Sequence, residues 1–416
     1  MTNDVVSDEE HLRQLRLFLE ELCSELCRFQ HVVEDGLAPE EVRISREVSM
    51  DAPGSYADMR VQVPGQPPYF VEIKFAYPPD KLVAHISRKY GAGSSLAAEA
   101  KRLVLLIRST DYPNWPDIEA NIRSVLPPRL DLDVWDEGHL LRLIRDRFGV
   151  EISGTTGDDV LAVRQAIDDA KWRHAYGIDF VDHPLASSLL WHFGFWALRR
   201  FNDEQGLEPH EVLRPGLYRN VTILMADLCA FSSYVRDTRD DELVRHCLTR
   251  FYSQARYAII NTGGMMYQFV GDQVVGLFGV PGGASSSEDD AIECARALID
   301  IGNSVSIHWQ RELDRVQKSG GVHIGLAIGD LNLMPLRPFS ASHVGFVGDS
   351  LNMAARLLGE AGPSEIVVSN NLYQRLDPEM RGSFHELPPV EAKNVGLIRC
   401  WKLAPGVSGT ARLVET

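Results

Sequence analysis

The stretch VTILMADLCAFS, from Val221 to Ser232, ends a run of apolar residues with a single aspartate. Further along, YQFVGDQVVGLFG (Tyr267–Gly279) places a second aspartate in a Gly-Asp turn between two short apolar runs. The first pattern predicts a buried strand that ends at Asp227, and the second predicts a hairpin with Asp272 at its tip. If the strands pair, two carboxylates meet at one end of a sheet, where oxygen ligands suit Mg²⁺. Taken singly, each aspartate is more typical of a structural strand end or turn.

A third segment, VGFVGDSLNMAARLLGEAG (Val344–Gly362), has a Gly-Asp turn that leads into a helix. Asn352 and Arg356 lie four residues apart, so their amide and guanidinium groups share one helix face. Further motifs follow the same order along the chain: HIGLAIG (323–329), SEIVVSNNLY (364–373) and VEAKNVGLIRCWKL (390–403). Through these motifs the region from about Leu217 to Pro405 resembles the class III nucleotidyl cyclases, the adenylate and guanylate cyclase family.

This resemblance implies a specific reaction and a metal site. In the family, a ribose 3′-oxygen attacks the α-phosphate of its own nucleoside triphosphate and pyrophosphate leaves, with two Mg²⁺ or Mn²⁺ ions per active site. Asp227 and Asp272 match the metal ligands, and the carbonyl of Leu228 would add another ligand. The backbone from Cys229 to Ser232, which includes Phe231, would cradle the phosphates, as amides in a turn can.

The resemblance also assigns the residues that act on the transition state. Asn352 would orient the ribose, and Arg356 would stabilise the charge that develops on the α-phosphate. Lys393, in EAKNVG, matches the lysine that binds the terminal phosphates. In the family the two aspartates come from one subunit and the Asn–Arg pair from the other. The resemblance therefore implies a homodimer with two composite active sites, whereas a monomer has none.

The base-recognition positions depart from the family. Adenylate cyclases carry a lysine four residues before the second metal aspartate and an Asp or Thr seven residues before the catalytic Asn, whereas this chain has Gln268 and Gly345. Guanylate cyclases use Glu and Cys there, which are also absent. Glutamine offers a donor and an acceptor that suit the edge of uracil or cytosine, and Tyr267 and His343 could narrow the pocket toward a one-ring base. The pocket resembles the pyrimidine (uridylate and cytidylate) cyclases of bacterial Pycsar antiphage defence.

These observations favour a cyclase that converts UTP, or CTP, to its 3′,5′-cyclic monophosphate for a downstream effector protein that binds the product. Two alternatives stay open. Because pocket residues vary in sequence, the chain could be an adenylate cyclase, which makes cAMP from ATP, with an N-terminal regulatory domain. It could also be a Mg²⁺-dependent nuclease with a cyclase-like sensor module.

The N-terminal part has its own pattern. An amphipathic helix over residues 8–35, three strand-like runs, a helix and the buried strand RLVLLI (Arg102–Ile107) follow in the order αβββαβ. Asp58 and Glu72-Ile-Lys74 resemble the PD-(D/E)xK restriction-endonuclease-like fold, in which two carboxylates bind Mg²⁺ and the lysine orients water. A surface Glu-x-Lys alternation would give the same short pattern. Because the chain is acidic, we expect a regulatory or scaffolding domain rather than a nuclease.

A length of 416 residues predicts more than one domain. We expect the α/β (α+β) class, with an N-terminal α/β domain (1–152), a helical linker (153–213), a ferredoxin-like cyclase domain (214–405) and a tail (406–416). The net charge of −16 argues against a dedicated nucleic-acid surface. Six cysteines without a CxxC pair, and the polar N-terminus, predict a cytoplasmic protein. The apolar segment Pro184–Leu198 is too short for a membrane span, which predicts a buried or interface helix.

Overall fold

A computed structural model describes residues 2–50, 55–94, 98–149, 167–173, 185–238, 241–282, 288–312, 320–337, 340–392 and 396–403. The chain divides into two compact units, Met1–Val181 and Asp182–Thr416. Each unit combines helices with a sheet, which confirms the predicted mixed α/β class.

A five-stranded sheet forms the centre of the N-terminal unit, with strands β1 to β5 in sequence order. The first three strands are antiparallel and the last three are parallel. The elements are α1 (Thr2–Val33), β1 (Arg43–Ser49), β2 (Tyr56–Gln62), β3 (Tyr69–Lys74), α2 (Pro79–Tyr90), β4 (Arg102–Ile107), α3 (Trp115–Val125), β5 (Asp131–Trp135) and α4 (Glu137–Phe148).

Two of these elements show why the sequence folds this way. Strand β4 lies between β3 and β5, and its residues from Leu103 onward are buried, as expected for a parallel strand covered on both faces. On helix α2, Leu82, Ile86 and Tyr90 recur every four residues and enter the same core cluster as Phe70 of β3.

The second unit is built on an eight-stranded sheet in the order β12-β15-β11-β9-β6-β8-β7, with β10 paired to β9. Its elements are α5 (Ala186–Gln205), α6 (Pro209–Val212), β6 (Gly216–Leu228), α7 (Phe231–Asp237), α8 (Asp241–Asn261), β7 (Met265–Val270), β8 (Gln273–Phe278), α9 (Glu288–Glu312), β9 (Val322–Arg337), β10 (Ser340–Val347), α10 (Asp349–Glu360), β11 (Ile366–Ser369), α11 (Asn370–Tyr373), α12 (Pro378–Arg381), β12 (Phe384–Glu386), β13 (Val390–Ala392), β14 (Gly396–Ile398) and β15 (Cys400–Leu403).

Strands β9, β6, β8 and β7, together with helices α8 and α9, form a βαββαβ core of the ferredoxin-like type. Helices α8 and α9 contribute Phe251 and Leu298 to the same buried cluster as Leu224 of β6 and Leu326 of β9. Strand β6 is central and is buried from Val221 to Ala226. The long apolar run of the sequence is therefore the middle of the sheet, and its C-terminal end emerges at Asp227.

Helix α5 is kinked at Gly194, where φ is 71°. A residue with a positive φ interrupts the helical hydrogen bonds, so nearby backbone carbonyls have no N–H partner within the helix. The guanidinium of Arg256 on α8 donates to the carbonyls of Leu190 and Trp191 at 2.8 and 3.0 Å. The kink is thus stabilised by a side chain from helix α8. Within the part of the chain that the structure describes, no helix is long and apolar enough to span a membrane.

Candidate functional site: two carboxylates at the end of a central strand

Strand β6 and the β7–β8 hairpin bring Asp227 and Asp272 together. In the antiparallel ladder Asp227 pairs with Gln273, the residue that follows Asp272. Gly271 makes the tight turn with a φ of 64°, a conformation that favours glycine. Burial and the carboxylate of Asp227 raise the pKa of Asp272 to about 6. A bound cation would relieve this repulsion, so the pair is suited to a metal ion.

His323 on β9 also belongs to this site. It pairs directly with Asp227 across the β6–β9 ladder, and its Nε2 lies 3.2 Å from an Asp227 carboxylate oxygen. Its Nδ1 lies 3.1 Å from the carbonyl of Ala361. Both ring nitrogens therefore face acceptors, which only the imidazolium can satisfy at once. The hydrogen bond to Asp227 is the main cause that raises the pKa of His323.

We did not single out His323 as a site residue in the sequence, although it begins the HIGLAIG motif. Its role depends on the β6–β9 register, because a shift of one residue would turn its side chain to the other face of the sheet. A histidine that starts a strand near two metal-type aspartates is the signal that could have identified it.

The donor set fits Mg²⁺ or Mn²⁺. The two carboxylates would provide hard oxygen ligands, and Mg²⁺ in phosphoryl-transfer sites takes further ligands from substrate phosphates and water. Among the described residues, no group of three or more His, Cys, Asp or Glu side chains is placed to hold a metal ion by itself. Burial raises the pKa of the neighbouring Cys229 thiol to about 11, so without a metal ion the thiol is neutral near pH 7.

The backbone turns sharply after Asp227. The N–H of Cys229 donates to the carbonyl of Gly321 at 2.9 Å, and Ala230 has a φ of 59°, in the left-handed region. Phe231 and Ser232 then begin helix α7. The N–H groups of Ser233 and Tyr234 both donate to the carbonyl of Ala230, at 2.9 and 3.0 Å, so backbone hydrogen bonds fix the shape of this turn. The residues expected to cradle phosphates, Cys229 to Ser232, follow Asp227 almost directly in the sequence.

Asn352 and Arg356 lie on helix α10, and both side chains are exposed. The other side of the helix carries buried residues, among them Ala354 and Leu357. The structure thus places the amide and the guanidinium on an exposed face of α10. Lys393 lies outside the described residues.

The two base-recognition positions lie on strands β7 and β10. Gln268 is exposed on β7, and Gly345 is in β10. The strands are joined through their neighbours, because the N–H of Phe346 donates to the hydroxyl of Tyr267 at 3.0 Å. The structure therefore brings Gln268 and Gly345 to one region. The backbone of His343 is part of β10, and its side chain lies outside the described atoms.

In the N-terminal unit Asp58, Glu72 and Lys74 also come together. Lys74 Nζ lies 3.1 Å from a carboxylate oxygen of Asp58 and also bonds Glu72. The Glu72 side chain is completely buried. Burial alone would raise the pKa of Asp58, but the cations of Lys74 and Arg16 outweigh burial and lower it.

These carboxylates are already neutralised by protein groups. Lys89 Nζ lies 2.9 and 3.0 Å from the two Glu72 oxygens, and the Tyr90 hydroxyl donates to one of them at 2.6 Å. Arg16 donates to Asp58 at 2.9 Å. A metal ion would have to displace buried cations from these oxygens, so the arrangement does not fit a metal site. The three residues form the centre of a buried ion-pair network.

Comparison with solved structures finds cyclase catalytic domains that are similar to about half of this chain. No family model matches it. Over 155 residues, 37% of this chain and 27% of theirs, the chain is 26% identical to uncharacterized proteins of Mycobacterium bovis and Mycobacterium tuberculosis. The match thus spans about a quarter of the length of these curated relatives.

Among solved structures, the chain is similar to the guanylyl cyclase Cya2, with 22% identity, 48% of this chain and 98% of that chain covered, and a TM-score of 0.40. The adenylyl cyclase CyaB from P. aeruginosa has 17% identity, coverage of 47% and 98%, and a TM-score of 0.38. An adenylate/guanylate cyclase/hydrolase from Silicibacter pomeroyi has 28% identity, coverage of 45% and 98%, and a TM-score of 0.33. Because these TM-scores are low, we base the function on the residues of the site.

Proposed function

We propose that this chain is a class III nucleotidyl cyclase, which converts a nucleoside triphosphate to a 3′,5′-cyclic monophosphate and pyrophosphate. The observation that carries this proposal is the meeting of Asp227 and Asp272 at the end of a central strand, next to the turn that begins helix α7. The raised pKa of Asp272 supports it, because a cation would relieve the repulsion between the two carboxylates that remains beside His323.

The residues of the chain divide the reaction between them. The turn at Phe231 and Ser232 binds phosphate oxygens, Asn352 orients the ribose, and Arg356 stabilises charge on the α-phosphate as the 3′-oxygen attacks and pyrophosphate leaves. Mg²⁺ or Mn²⁺ held by Asp227, Asp272 and the Leu228 carbonyl would lower the pKa of the 3′-hydroxyl and neutralise the triphosphate. His323 orients the Asp227 carboxylate through its hydrogen bond.

We infer that the base is a pyrimidine, with UTP favoured slightly over CTP. Gln268 is exposed and offers both a donor and an acceptor, and it stands where adenylate cyclases carry a lysine. A site that pairs with one base edge leaves polar groups unpaired with another base, which costs about 1–3 kcal/mol per buried partner. An adenylate cyclase is the alternative, and side-by-side assays with the four nucleoside triphosphates separate the two.

We further propose that the active form is a homodimer in the cytoplasm. The exposed faces that carry Asn352 and Arg356 support this, since they leave those groups open to the carboxylates of another copy. The product would act as a second messenger for an effector protein that binds cyclic nucleotides, in antiphage defence. The N-terminal unit would regulate or scaffold the enzyme. Its buried ion-pair network of Asp58, Glu72 and Lys74 supports that role, because those carboxylates are already paired with protein cations. The nuclease alternative predicts metal-dependent DNA cleavage that needs Lys74.

The proposed site can be tested by neutralising one carboxylate. Asp272→Asn should reduce pyrophosphate release by about a hundredfold or more, because a metal ligand and its charge are removed while the side-chain shape is kept. Asp203→Asn is the matched control, since Asp203 is an exposed carboxylate on α5 that pairs with Arg199. Equal activity of the two variants at saturating Mg²⁺ would refute the assignment of the metal site.

A further inference from the structure

Strand β7 contains a β-bulge at the edge of the base-recognition region. Met266 pairs with Gly276 and Gln268 pairs with Val275, so within this pairing Tyr267 is the extra residue. A bulge bends its strand and re-aims the neighbouring side chains. His192 Nδ1 donates to the Met266 carbonyl at 2.5 Å, which supports the bulge from helix α5.

The extra residue reaches a strand that is not its neighbour in the sheet. The Tyr267 hydroxyl accepts a hydrogen bond from the N–H of Phe346 at 3.0 Å, and the two rings meet edge to face with centroids 5.4 Å apart. Phe346 is only 5% exposed, so its N–H needs this acceptor. The Tyr267 side chain thus joins strands β7 and β10.

We propose that Tyr267 is a positioning residue that sets the separation between Gln268 and Gly345 and thereby the width of the base pocket. This inference rests on the proposed cyclase function. Gln268 follows Tyr267 directly, and Gly345 precedes Phe346 directly, so the Tyr267–Phe346 bond fixes both recognition positions at once.

The physical argument is that base discrimination depends on the exact placement of polar groups. An amide that is displaced by a fraction of a bond length no longer matches one base edge better than another. Gly345 has no side chain with which to adjust, and the Gln268 side chain is exposed and rotatable. The backbones of β7 and β10 therefore set the width of the pocket, and the hydrogen bond to the Tyr267 hydroxyl fixes their separation.

The test is Tyr267→Phe, which keeps the ring and removes only the hydroxyl. We expect the KM for the preferred nucleoside triphosphate to rise about fivefold or more, and its advantage over the other three to shrink by a similar factor. The Mg²⁺ concentration for half-maximal activity should stay unchanged, because the metal ligands do not contact this hydroxyl. A variant with wild-type KM and wild-type discrimination would overturn the proposal.

Tyr218→Phe is the matched control. The Tyr218 ring also meets Phe346, at 5.5 Å between centroids, but its hydroxyl donates to the Arg214 carbonyl instead of touching β10. This variant should keep the discrimination of the wild type. An equal loss in both variants would mean that general packing around Phe346, rather than the bond to its N–H, sets the pocket, and would also overturn the proposal.

Hydrogen–deuterium exchange makes the test independent of activity. In Tyr267→Phe the amide of Phe346 should exchange faster than in the wild type and in Tyr218→Phe, and unchanged exchange would overturn the proposal. A wild-type chain that cyclises none of the four nucleoside triphosphates would instead refute the proposed function, while the exchange rates would still decide whether Tyr267 joins the strands.

Discussion

At the scale of single residues, the site combines repulsion between two carboxylates with a hydrogen bond from one imidazole. Asp272 has a raised pKa because it is partly buried beside Asp227. His323 donates a hydrogen bond to the Asp227 carboxylate, with 3.2 Å between Nε2 and the oxygen. The metal-free site is therefore an electrostatically unfavourable arrangement that a cation or a proton can relieve.

The pH dependence of stability follows from the direction of the Asp272 shift. Between its ordinary value of 3.8 and about 6, the folded protein keeps a proton that the unfolded chain releases. The stabilising contribution is therefore complete below the ordinary value and is lost as the pH rises through about 6. The pKa of His323 is also raised, so the stability that its proton contributes is likewise lost as the pH rises, at a higher pH than for Asp272.

We expect Asp272→Asn to raise the free energy of unfolding of the metal-free protein near pH 8 by about 1 kcal/mol, after a discount for partial exposure. The difference from wild type should disappear toward pH 4. Urea denaturation in the presence of a chelator, repeated across this range, measures it. A difference that stays constant with pH would show that electrostatic repulsion at Asp272 is not the cause.

At this same scale, the sequence predicts the placement of Asp227 at a strand end and of Asp272 in a hairpin turn, because apolar runs and a Gly-Asp pair are local signals. It does not predict Lys89 as the partner of Glu72. That contact joins helix α2 to strand β3, and no local pattern specifies which buried cation a carboxylate will meet.

At the scale of elements, local patterns again decide what can be predicted. The run RLVLLI predicts a buried strand, and β4 spans the same residues, Arg102–Ile107. The segment Pro184–Leu198 predicts a buried or interface helix, and α5 occupies much of it, but the kink at Gly194 depends on Arg256 from a different helix. The bulge at Tyr267 likewise depends on partners in α5 and β10, which the sequence of β7 does not contain.

The close approach of helix α10 to strand β9 gives an element-scale prediction. A Cβ atom at Gly325 would lie 2.2 Å from the Leu358 nitrogen and 2.5 Å from the Ala354 carbonyl oxygen, so Gly325→Ala must push the helix away. We expect a loss of about 1–3 kcal/mol in the free energy of unfolding. Turnover should fall as well, because α10 carries Asn352 and Arg356.

Gly359→Ala is the matched control, since a Cβ there has no atom within 4 Å and the residue lies in the same helix. This variant should be neutral or slightly more stable, because alanine favours a helix over glycine by about 0.5–1 kcal/mol. Chemical denaturation midpoints compare the two. A Gly325→Ala protein as stable as Gly359→Ala would contradict the tight packing of α10 on β9.

At the scale of the whole molecule, the two units differ in the groups that contact their paired carboxylates. In the N-terminal unit the carboxylates are buried and compensated by lysines and Arg16. In the second unit His323 contacts Asp227, the repulsion from Asp227 still raises the pKa of Asp272, and the side chains of Asn352 and Arg356 on α10 are exposed. Under the proposed function, the carboxylate pair would bind metal and substrate, and the exposed face of α10 would complete the site of a second copy.

Subunit complementation tests the composite site. Asp227→Ala and Arg356→Ala should each be inactive as homodimers, because each site lacks a metal ligand or the guanidinium. After subunit exchange, a mixture should regain up to about a quarter of wild-type activity per chain, since half of the dimers are mixed and each has one intact site of two. No recovery after exchange is verified would argue that each subunit completes its own site.

The central claim is tested most directly by identifying the products of the purified chain with an equimolar mixture of ATP, GTP, CTP and UTP in Mg²⁺ or Mn²⁺. Chromatography and mass measurement of the products should give a 3′,5′-cyclic pyrimidine monophosphate, mainly cyclic UMP, with one pyrophosphate per cyclic product. Cyclic AMP as the main product would contradict the pyrimidine specificity but not the cyclase. A folded, metal-loaded protein that forms no cyclic nucleotide from any of the four would contradict the account itself.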